Sequence, residues 1–444
     1  MRRIAIVIVA AIVIVAAGIF AWRVVNPGPL AFASGSTVAL ADYREANPTG
    51  VAADLEKTDS VRRGEYLAKA ADCMVCHTAP GGTEYAGGLA FPTPFGTLYS
   101  TNITPDKETG IGSYTDQDFL NAVQRGTRQD SARLYPAMPY ASYTLMTDAD
   151  VLAIKAYLFS LPAVHGQNQR DTLPFPFNQR WTMMFWSLAF SPNTRFAPNK
   201  AKSAEWNRGA YVAEALAHCG ECHTPRNLAF APNNRRKFAG AVAAGWRAYN
   251  ITSDRDTGIG SWSDEEIVAY LAKGHAVGRG TASGPMGEAV DHSFSHTVPA
   301  DIRALVTYLR TVPALASVEP ATIAPPAPAS PKEGGGVADA LGRKVFQQAC
   351  VSCHSWTGVS ALSPVATISG SRAVNDPSAI NVAQIVISGT QRFTSSAMSM
   401  PAFGGTYTDT EIAAVGNYVT RRFGSTASKL TARDVADLRG QTAH

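Results

Sequence analysis

The chain has 444 residues and a hydrophobic content of 45%, which is ordinary for globular proteins. A chain of this length is typical of about three domains. The 39 basic side chains nearly balance the 35 acidic ones, for a net charge of +4. A charge this small gives no indication of nucleic-acid binding, so nucleic acid is not predicted as a partner.

The N-terminus carries an uncharged, apolar run. Two arginines precede the segment from Ile4 to Trp22, which is dominated by Ile, Val and Ala. At a rise of about 1.5 Å per residue, a helix over this run has nearly the length of a bilayer core, and it predicts a transmembrane helix. A cleaved signal peptide ending near residues 31–33 is the alternative. Residues 1–33 are therefore predicted to be a membrane anchor or a signal segment, and both interpretations export the chain.

All six cysteines lie in three copies of the motif Cys-x-x-Cys-His, at residues 73–77, 219–223 and 350–354. Two thiols one helical turn apart can each form a thioether with a haem vinyl group, and the adjacent His can bind the iron. A redox dithiol does not require the His, and zinc needs four ligands, which these distant pairs do not supply together. The motifs therefore predict three covalently bound haem c groups. The predicted attachment residues are Cys73, Cys76, Cys219, Cys222, Cys350 and Cys353, and the predicted iron ligands are His77, His223 and His354.

Each motif is followed by a methionine suited to be the second axial ligand. Met138, Met286 and Met400 lie in loops marked by Pro or Gly between two helical patterns, which is a poor place for a residue that only fills the core. Methionine raises the potential of a haem and closes its coordination sphere. Met398 competes for the third site, but the Met-Pro pair at Met400 repeats the one at Met138. We therefore predict His/Met coordination of all three irons.

The chain also repeats its helical patterns. An Arg-Gly-x-Tyr start occurs at residues 63–66 and again at 208–211, and the third copy is looser. Residues 102–113 are matched by residues 250–261. Capping boxes such as the one at residues 263–266 precede apolar-periodic runs. Self-similarity at this spacing indicates repeated helical domains.

This pattern resembles the class I cytochromes c. From about residue 60 to residue 420, the chain resembles the tri-haem cytochrome c subunits of membrane-bound, quinone-dependent dehydrogenases for alcohols, aldehydes or gluconate in acetic acid bacteria and their relatives. The resemblance is carried by residues 100–105, 134–140 and 218–227. The predicted fold is mostly α, with three consecutive class I cytochrome c domains after an N-terminal transmembrane helix.

Two linkers of different composition set the predicted domain boundaries. Residues 316–336 are rich in Pro, Ala and Gly and are predicted to form a semi-rigid spacer. Residues 166–203 are rich in aromatic side chains, so they must pack between the first two domains or contact a partner or membrane surface. The predicted cytochrome c domains are 55–165, 204–315 and 337–424, followed by a tail at 425–444.

The resemblance implies an electron-transfer subunit without a catalytic residue of its own. A partner, a dehydrogenase large subunit of the molybdopterin or pyrroloquinoline quinone type with or without a small subunit, oxidises the alcohol or aldehyde. The haems pass its electrons to ubiquinone in the cytoplasmic membrane, with the haem domains on the periplasmic side. Two alternatives stay open: a haem peroxidase, which needs one iron with an open position, and an anchored electron shuttle to a terminal oxidase.

Overall fold

The computed structural model describes residues 2–25, 27–52, 55, 57–166, 168–317, 337–390 and 399–441. Most of the regular structure in these residues is helical, and the strands form three two-stranded antiparallel hairpins. The prediction of a mostly α fold is therefore confirmed. Most of the predicted spacer at 316–336 lies outside the described residues.

Helix α1 (Arg2–Val25) contains the apolar N-terminal run. The prediction of a transmembrane helix here is wrong, because no helix in the described residues is both long enough and apolar enough to cross a membrane. Near the end of α1, Trp22 packs edge-to-face against Phe190, with ring centroids 5.5 Å apart.

The first unit is mostly helical and contains one hairpin. Its elements are α2 (Ser60–Ala70), α3 (Cys73–Cys76), β1 (Ala90–Thr93), β2 (Gly96–Tyr99), α4 (Asp116–Arg125), α5 (Tyr140–Tyr143) and α6 (Asp148–Ser160). The Asp59 side chain accepts a hydrogen bond from the backbone N–H of Arg62, and Thr115 forms a capping box with Asp118. These caps satisfy amides that a first helical turn leaves unpaired, and so fix where α2 and α4 begin.

A short helix, α7 (Met183–Phe190), connects the first unit to the second. The second unit repeats the order of the first, with a π-helical turn before its motif and one additional hairpin. Its elements are α8 (Ala204–Tyr211), the π-helical turn (Val212–Leu216), α9 (Gly220–His223), β3 (Ala241–Ala243), β4 (Trp246–Ala248), α10 (Asp264–Lys273), β5 (His275–Ala276), β6 (Gly280–Thr281), α11 (Pro285–His292) and α12 (Pro299–Leu309).

The third unit has helices alone among its regular elements in the described residues. They are α13 (Val337–Val345), a π-helical turn (Phe346–Cys350), α14 (Val351–His354), α15 (Ile380–Ser388), α16 (Asp409–Phe423) and α17 (Ala432–Gln441). Val435 and Leu438 of α17 are buried in one hydrophobic cluster with residues of α15 and α16. The last helix therefore belongs to the packed body of this unit.

A crossing of two helices organises each unit: α2 with α6, α8 with α12 and α13 with α16. A glycine lies at each crossing, where an added Cβ would overlap a backbone carbonyl oxygen of the opposite helix. The pairs are Gly64 with Ala153, Gly209 with Ala304 and Gly342 with Ala414. Only glycine allows the two backbones to approach this closely, which explains the Gly of the repeated Arg-Gly-x-Tyr start.

The first two units share one continuous hydrophobic core, whereas the third has two clusters of its own. Reciprocal hydrogen bonds cross the junction of the first two units. The hydroxyl of Tyr66 in α2 donates to Asp301 in α12 at 2.6 Å, and the hydroxyl of Tyr211 in α8 donates to Asp150 in α6. Arg208 donates to the same Asp301 carboxylate at 2.8 and 2.6 Å. All these groups are buried, so this junction is part of the core.

The junction between the second and third units is polar. The side chain of Asn381 in α15 accepts from the backbone N–H of Arg247 in β4 at 2.8 Å and donates to its carbonyl oxygen at 3.0 Å. The amide of Gln384 donates to the carbonyl oxygen of Gly245 at 2.9 Å. Nε of Arg247 also lies 3.5 Å from the carboxylate of Asp376. The third unit thus pairs with the strand edge that β4 would otherwise expose.

Candidate haem sites

The three histidines that end the motifs are held in the same way. In each of them Nδ1 lies within hydrogen-bonding distance of a backbone carbonyl oxygen. The pairs are His77 with Thr101 at 2.7 Å, His223 with Tyr249 at 2.6 Å and His354 with Ala366 at 2.6 Å. Since a carbonyl can only accept, Nδ1 carries the proton and Nε2 keeps its lone pair for a metal.

The charge state of the three histidines also suits a metal ligand. Burial lowers the pKa of all three imidazoles, which favours the neutral form that binds a metal. The carbonyl partners come from different local structures: Thr101 follows β2, Tyr249 follows β4, and Ala366 lies in a short helical turn of the third unit. Three different loops therefore give one outcome, a neutral imidazole with Nε2 available.

The cysteines are arranged as the motif requires. In each motif the two cysteines lie about one helical turn apart, in α3, in or just before α9, and in or just before α14. Burial raises the pKa of Cys73 and Cys219 to about 12 and that of Cys350 to about 11. The spacing of each pair lets one thiol reach each of the two vinyl groups of a haem.

The structure places Met138 and Met400 in loops, as predicted, but the loop prediction is wrong for Met286, which lies in the first turn of a helix. Met138 comes just before α5, Met286 is the second residue of α11, and Met400 lies in the loop before α16. Met138 and Met286 are half-buried against the core that the first two units share. The backbone of Met400 pairs with Thr390, and its side chain packs against the cluster that includes α17. Met398 lies outside the described residues.

The motifs of the first two units face each other's methionine loops. Helix α3 contacts α11, which carries Met286, and α5 contacts the π-helical turn before the second motif. Ser142, at the end of the Met138 loop, donates to Glu221 within the second motif at 3.0 Å. The neighbouring Tyr143 ring lies 5.3 Å from the His218 ring. The first and second motifs therefore lie on either side of the same junction.

The third motif contacts the second unit through the loop that holds its histidine. Val365 precedes Ala366, and its carbonyl oxygen accepts from Thr281 at 3.3 Å. Thr281 belongs to the β5–β6 hairpin, which lies shortly before Met286 in the chain. The second unit thus contacts both others and stands between the first and third motifs.

Residues of both junctions were not predicted from the sequence. Tyr66 and Tyr211 were noted only as parts of a repeat, although each forms a buried hydrogen bond to the other unit. Their repetition was the available signal. Trp262 and Arg372 carry buried nitrogen atoms without a hydrogen-bond partner among the described residues. No local pattern in the sequence distinguishes these two side chains.

Helical units with a Cys-x-x-Cys-His motif, a carbonyl-held histidine and a later methionine define a multidomain cytochrome c. Residues 61–162 match the sequence model of the family described as Cytochrome c. Residues 337–419 match the one described as Cytochrome C oxidase, cbb3-type, subunit III.

Full-length comparisons narrow this class. The chain is 37% identical to the fructose dehydrogenase cytochrome subunit of Gluconobacter japonicus, over 93% of this chain and 89% of that protein. It is 36% identical to the gluconate 2-dehydrogenase cytochrome c subunit of Pantoea cypripedii, over 87% and 91%. It is 35% identical to the cytochrome c subunit of the quinone alcohol dehydrogenase of Gluconobacter oxydans, over 85% and 82%.

The chain therefore belongs to the family of cytochrome c subunits of dehydrogenases, and the predicted resemblance is confirmed. Membership implies covalently bound haem c and a role in electron transfer within a dehydrogenase complex. The residues at the motifs fit such a group, because each offers a thiol pair and an imidazole whose Nε2 is free to bind iron.

Proposed function

We propose that this chain carries electrons from a substrate-oxidising dehydrogenase subunit through three haem c groups to ubiquinone. The observation that supports three groups most strongly is the identical pairing of His77, His223 and His354 with backbone carbonyl oxygens. A histidine that only filled a core would not need the same tautomer at three separate motifs. We propose the six motif cysteines as the thioether residues.

We further propose Met138, Met286 and Met400 as the second axial ligands. Bound haem supplies one-electron redox chemistry, and the protein's part is to orient the imidazoles, exclude water and hold the groups close together. A six-coordinate iron leaves no position for a substrate, which fits electron transfer better than a peroxidase. Substrate oxidation is accordingly assigned to the partner subunit, an alcohol or aldehyde dehydrogenase of the molybdopterin or pyrroloquinoline quinone type.

The contacts support a route through the second unit. The first and second motifs face each other across a fused core, and the third motif's histidine loop contacts the second unit near Met286. Electron tunnelling slows steeply with distance, so a chain of neighbouring edges is what a relay needs. The junction of the first two units is built from core contacts, so it keeps the distance between the first and second motifs fixed.

Helix α7 supports an acceptor in the bilayer. Met184, Phe185 and Leu188 of α7 and Trp181, in the short turn just before it, follow helical spacing and are all exposed, Trp181 to 61%. Exposed apolar patches of this kind mark interaction surfaces, and aromatic rings are favoured at membrane interfaces. Trp186 faces the protein instead, since its Nε1 donates to the carbonyl oxygen of Ala229 at 2.8 Å. We propose that the exposed face of α7 meets the cytoplasmic membrane from the periplasmic side.

The experiment compares two acceptors in the purified complex. Changing Trp181 and Phe185 together to Ser is expected to slow reduction of a long-chain ubiquinone in liposomes several-fold. Reduction of a soluble acceptor such as ferricyanide is expected to stay normal. Leu362→Ser is the matched control, because Leu362 is equally exposed but lies in the third unit. A parallel loss of both rates and of haem content would show that the face of α7 is part of the packing and would contradict membrane docking.

A further inference from the structure

Arg372 of the third unit is a buried cation with an incomplete set of partners. The residue is only 7% exposed. One guanidinium nitrogen donates to the carbonyl oxygen of Asn250 in the second unit at 3.2 Å. Nε and the other terminal nitrogen have no hydrogen-bond partner within the described chain. Burial lowers the pKa of this guanidinium to about 10, and leaving such donors unsatisfied is costly.

The guanidinium lies beside the second motif. It stacks over the ring of Tyr249 at 4.7 Å, and the carbonyl oxygen of Tyr249 is the group that holds His223. A residue of the third unit is therefore within electrostatic range of the second unit's iron ligand.

The acidic residue of this junction is engaged elsewhere. Asp376 lies 3.5 Å from Nε of Arg247 and accepts a hydrogen bond from the Tyr249 hydroxyl at 3.3 Å. It is 1% exposed, so solvent does not compete for its oxygens. Nε and one terminal nitrogen of Arg372 therefore still lack an acceptor in the described residues. Because the guanidinium lies against the second unit, an anion bound by that unit could supply one.

The second unit also holds a buried donor without a partner among the described residues. Trp262 is 8% exposed, and its Nε1 has no partner among the residues that the structure describes. Arg279 connects the two sites: its guanidinium lies over the Trp262 ring at 5.4 Å, and its carbonyl oxygen accepts from the backbone N–H of Arg372 at 3.1 Å. Arg279 thus links this buried donor of the second unit to the backbone of Arg372.

A haem presents two propionate carboxylates at the edge away from its thioethers. Carboxylates pair with the planar fork of a guanidinium through two hydrogen bonds, and such charge-assisted bonds are strong. We propose that Arg372, supplied by the third unit, binds a propionate of the haem held by the second unit. This inference rests on the proposed haem at Cys219, Cys222 and His223.

The consequence is electrostatic coupling between two domains. A cation beside a haem stabilises the reduced form, so docking of the third unit raises the potential of the second haem. The same contact strengthens the polar junction, because the propionate belongs to one unit and the arginine to the other. Arg372 is thus a positioning residue, through which the potential of the second haem depends on docking of the third unit.

The test is a redox titration of the holoprotein carrying Arg372→Gln, followed spectroscopically. One of three midpoint potentials is expected to fall, and the propionate bending band in the resonance Raman spectrum is expected to shift. Arg247→Gln is the control, since Arg247 lies in the same junction but faces Asp376. Unchanged potentials and Raman band in Arg372→Gln would overturn the proposal, as would an equal change in the Arg247→Gln protein.

Two further measurements keep the outcomes separate. If the Gln variant does not fold, Arg372→Lys retains the charge and is expected to keep the potential while shifting the propionate band, because lysine lacks the planar fork. An unchanged band in the Lys variant would also overturn the proposal. Haem content distinguishes the two levels: a wild-type chain without haem at the second motif contradicts the proposed function, whereas three haems with insensitive potentials contradict only the role of Arg372.

Discussion

The two junctions of this molecule are built on opposite principles. The first and second units share one apolar core and exchange buried tyrosine–aspartate hydrogen bonds. The second and third units meet through side-chain amides and arginines, and the third unit keeps its own hydrophobic clusters. The first two units therefore form one folding unit with a fixed spacing between their motifs. The third unit folds around its own clusters and docks on the second unit through a polar surface.

The strand edges of the first two units are also covered in different ways. In the second unit, Asn381 of the third unit pairs with β4. In the first unit, the aromatic linker pairs with β2: the backbone N–H of Thr172 donates to the carbonyl oxygen of Thr97 at 2.9 Å, and Asp171 accepts from the N–H of Tyr99 at 3.0 Å. The linker therefore covers the edge of β2 in the first unit, whereas a whole domain covers the edge of β4 in the second unit.

The largest effect is expected at the helix crossings. Gly209→Val places side-chain atoms on the Ala304 carbonyl and is expected to cost about 4 kcal/mol or more in unfolding free energy. Because the core is shared, Gly209→Val should loosen the first and second sites together and open both to carbon monoxide, whereas Gly342→Val should open only the third. The thioethers keep the haems attached in either variant. Gly440→Ala is the control, since no atom lies near its added Cβ. Denaturant unfolding and carbon monoxide difference spectra measure these effects, and equal opening of all three sites by Gly342→Val would contradict two separate folding units.

A smaller loss of unfolding free energy is expected when polar side chains of the two junctions are replaced, and the loss should differ between the junctions. Asp301→Asn removes the carboxylate that Arg208 and Tyr66 share and is expected to cost about 3 kcal/mol, because Arg208 then loses its counter-charge and keeps only neutral partners such as the carbonyl oxygens of Pro48 and Gly50. Asn381→Ala removes two hydrogen bonds to Arg247 and is expected to cost about 1–2 kcal/mol. Chemical unfolding of both variants decides the ranking, and a more severe Asn381→Ala would reverse the comparison.

The axial methionines provide the third prediction, which has the smallest effect on stability. Replacing Met138, Met286 or Met400 with Ala is expected to open one iron to carbon monoxide and lower that haem's potential while leaving the other two unchanged. Carbon monoxide difference spectra and redox titration measure this. A Met400→Ala protein with three unchanged potentials would assign the third site to Met398 instead.

The local parts of the sites could be predicted from the sequence. Cys-x-x-Cys-His is a contiguous motif, and capping boxes such as Ser263 with Glu266 act within one helical turn, so both appear as local patterns. The Arg-Gly-x-Tyr repeat indicated helices, although the reason for its glycine appears only at the crossing. The apolar N-terminal run predicted a helix, which α1 confirms, but hydropathy alone overstated it as a membrane span.

The junctions could not be predicted, because their partners are far apart in the chain. Tyr66 and Asp301 are separated by 235 residues, and Arg372 and Asn250 by 122. Pairings at such distances depend on how whole units pack, which leaves no periodic signal. The aromatic linker shows the same limit: composition indicated that its apolar side chains need a surface. Only the structure separates Trp186, which packs on the protein, from Trp181, which is exposed.

The number and placement of the covalent haems test the central claim most directly. Mass spectrometry of peptides from the purified native subunit should find the peptides that contain Cys73, Cys219 and Cys350 each heavier by the mass of one haem. An alkaline pyridine spectrum should independently give three haem c per chain. Any motif recovered with two free thiols from fully loaded native protein would contradict a three-haem relay.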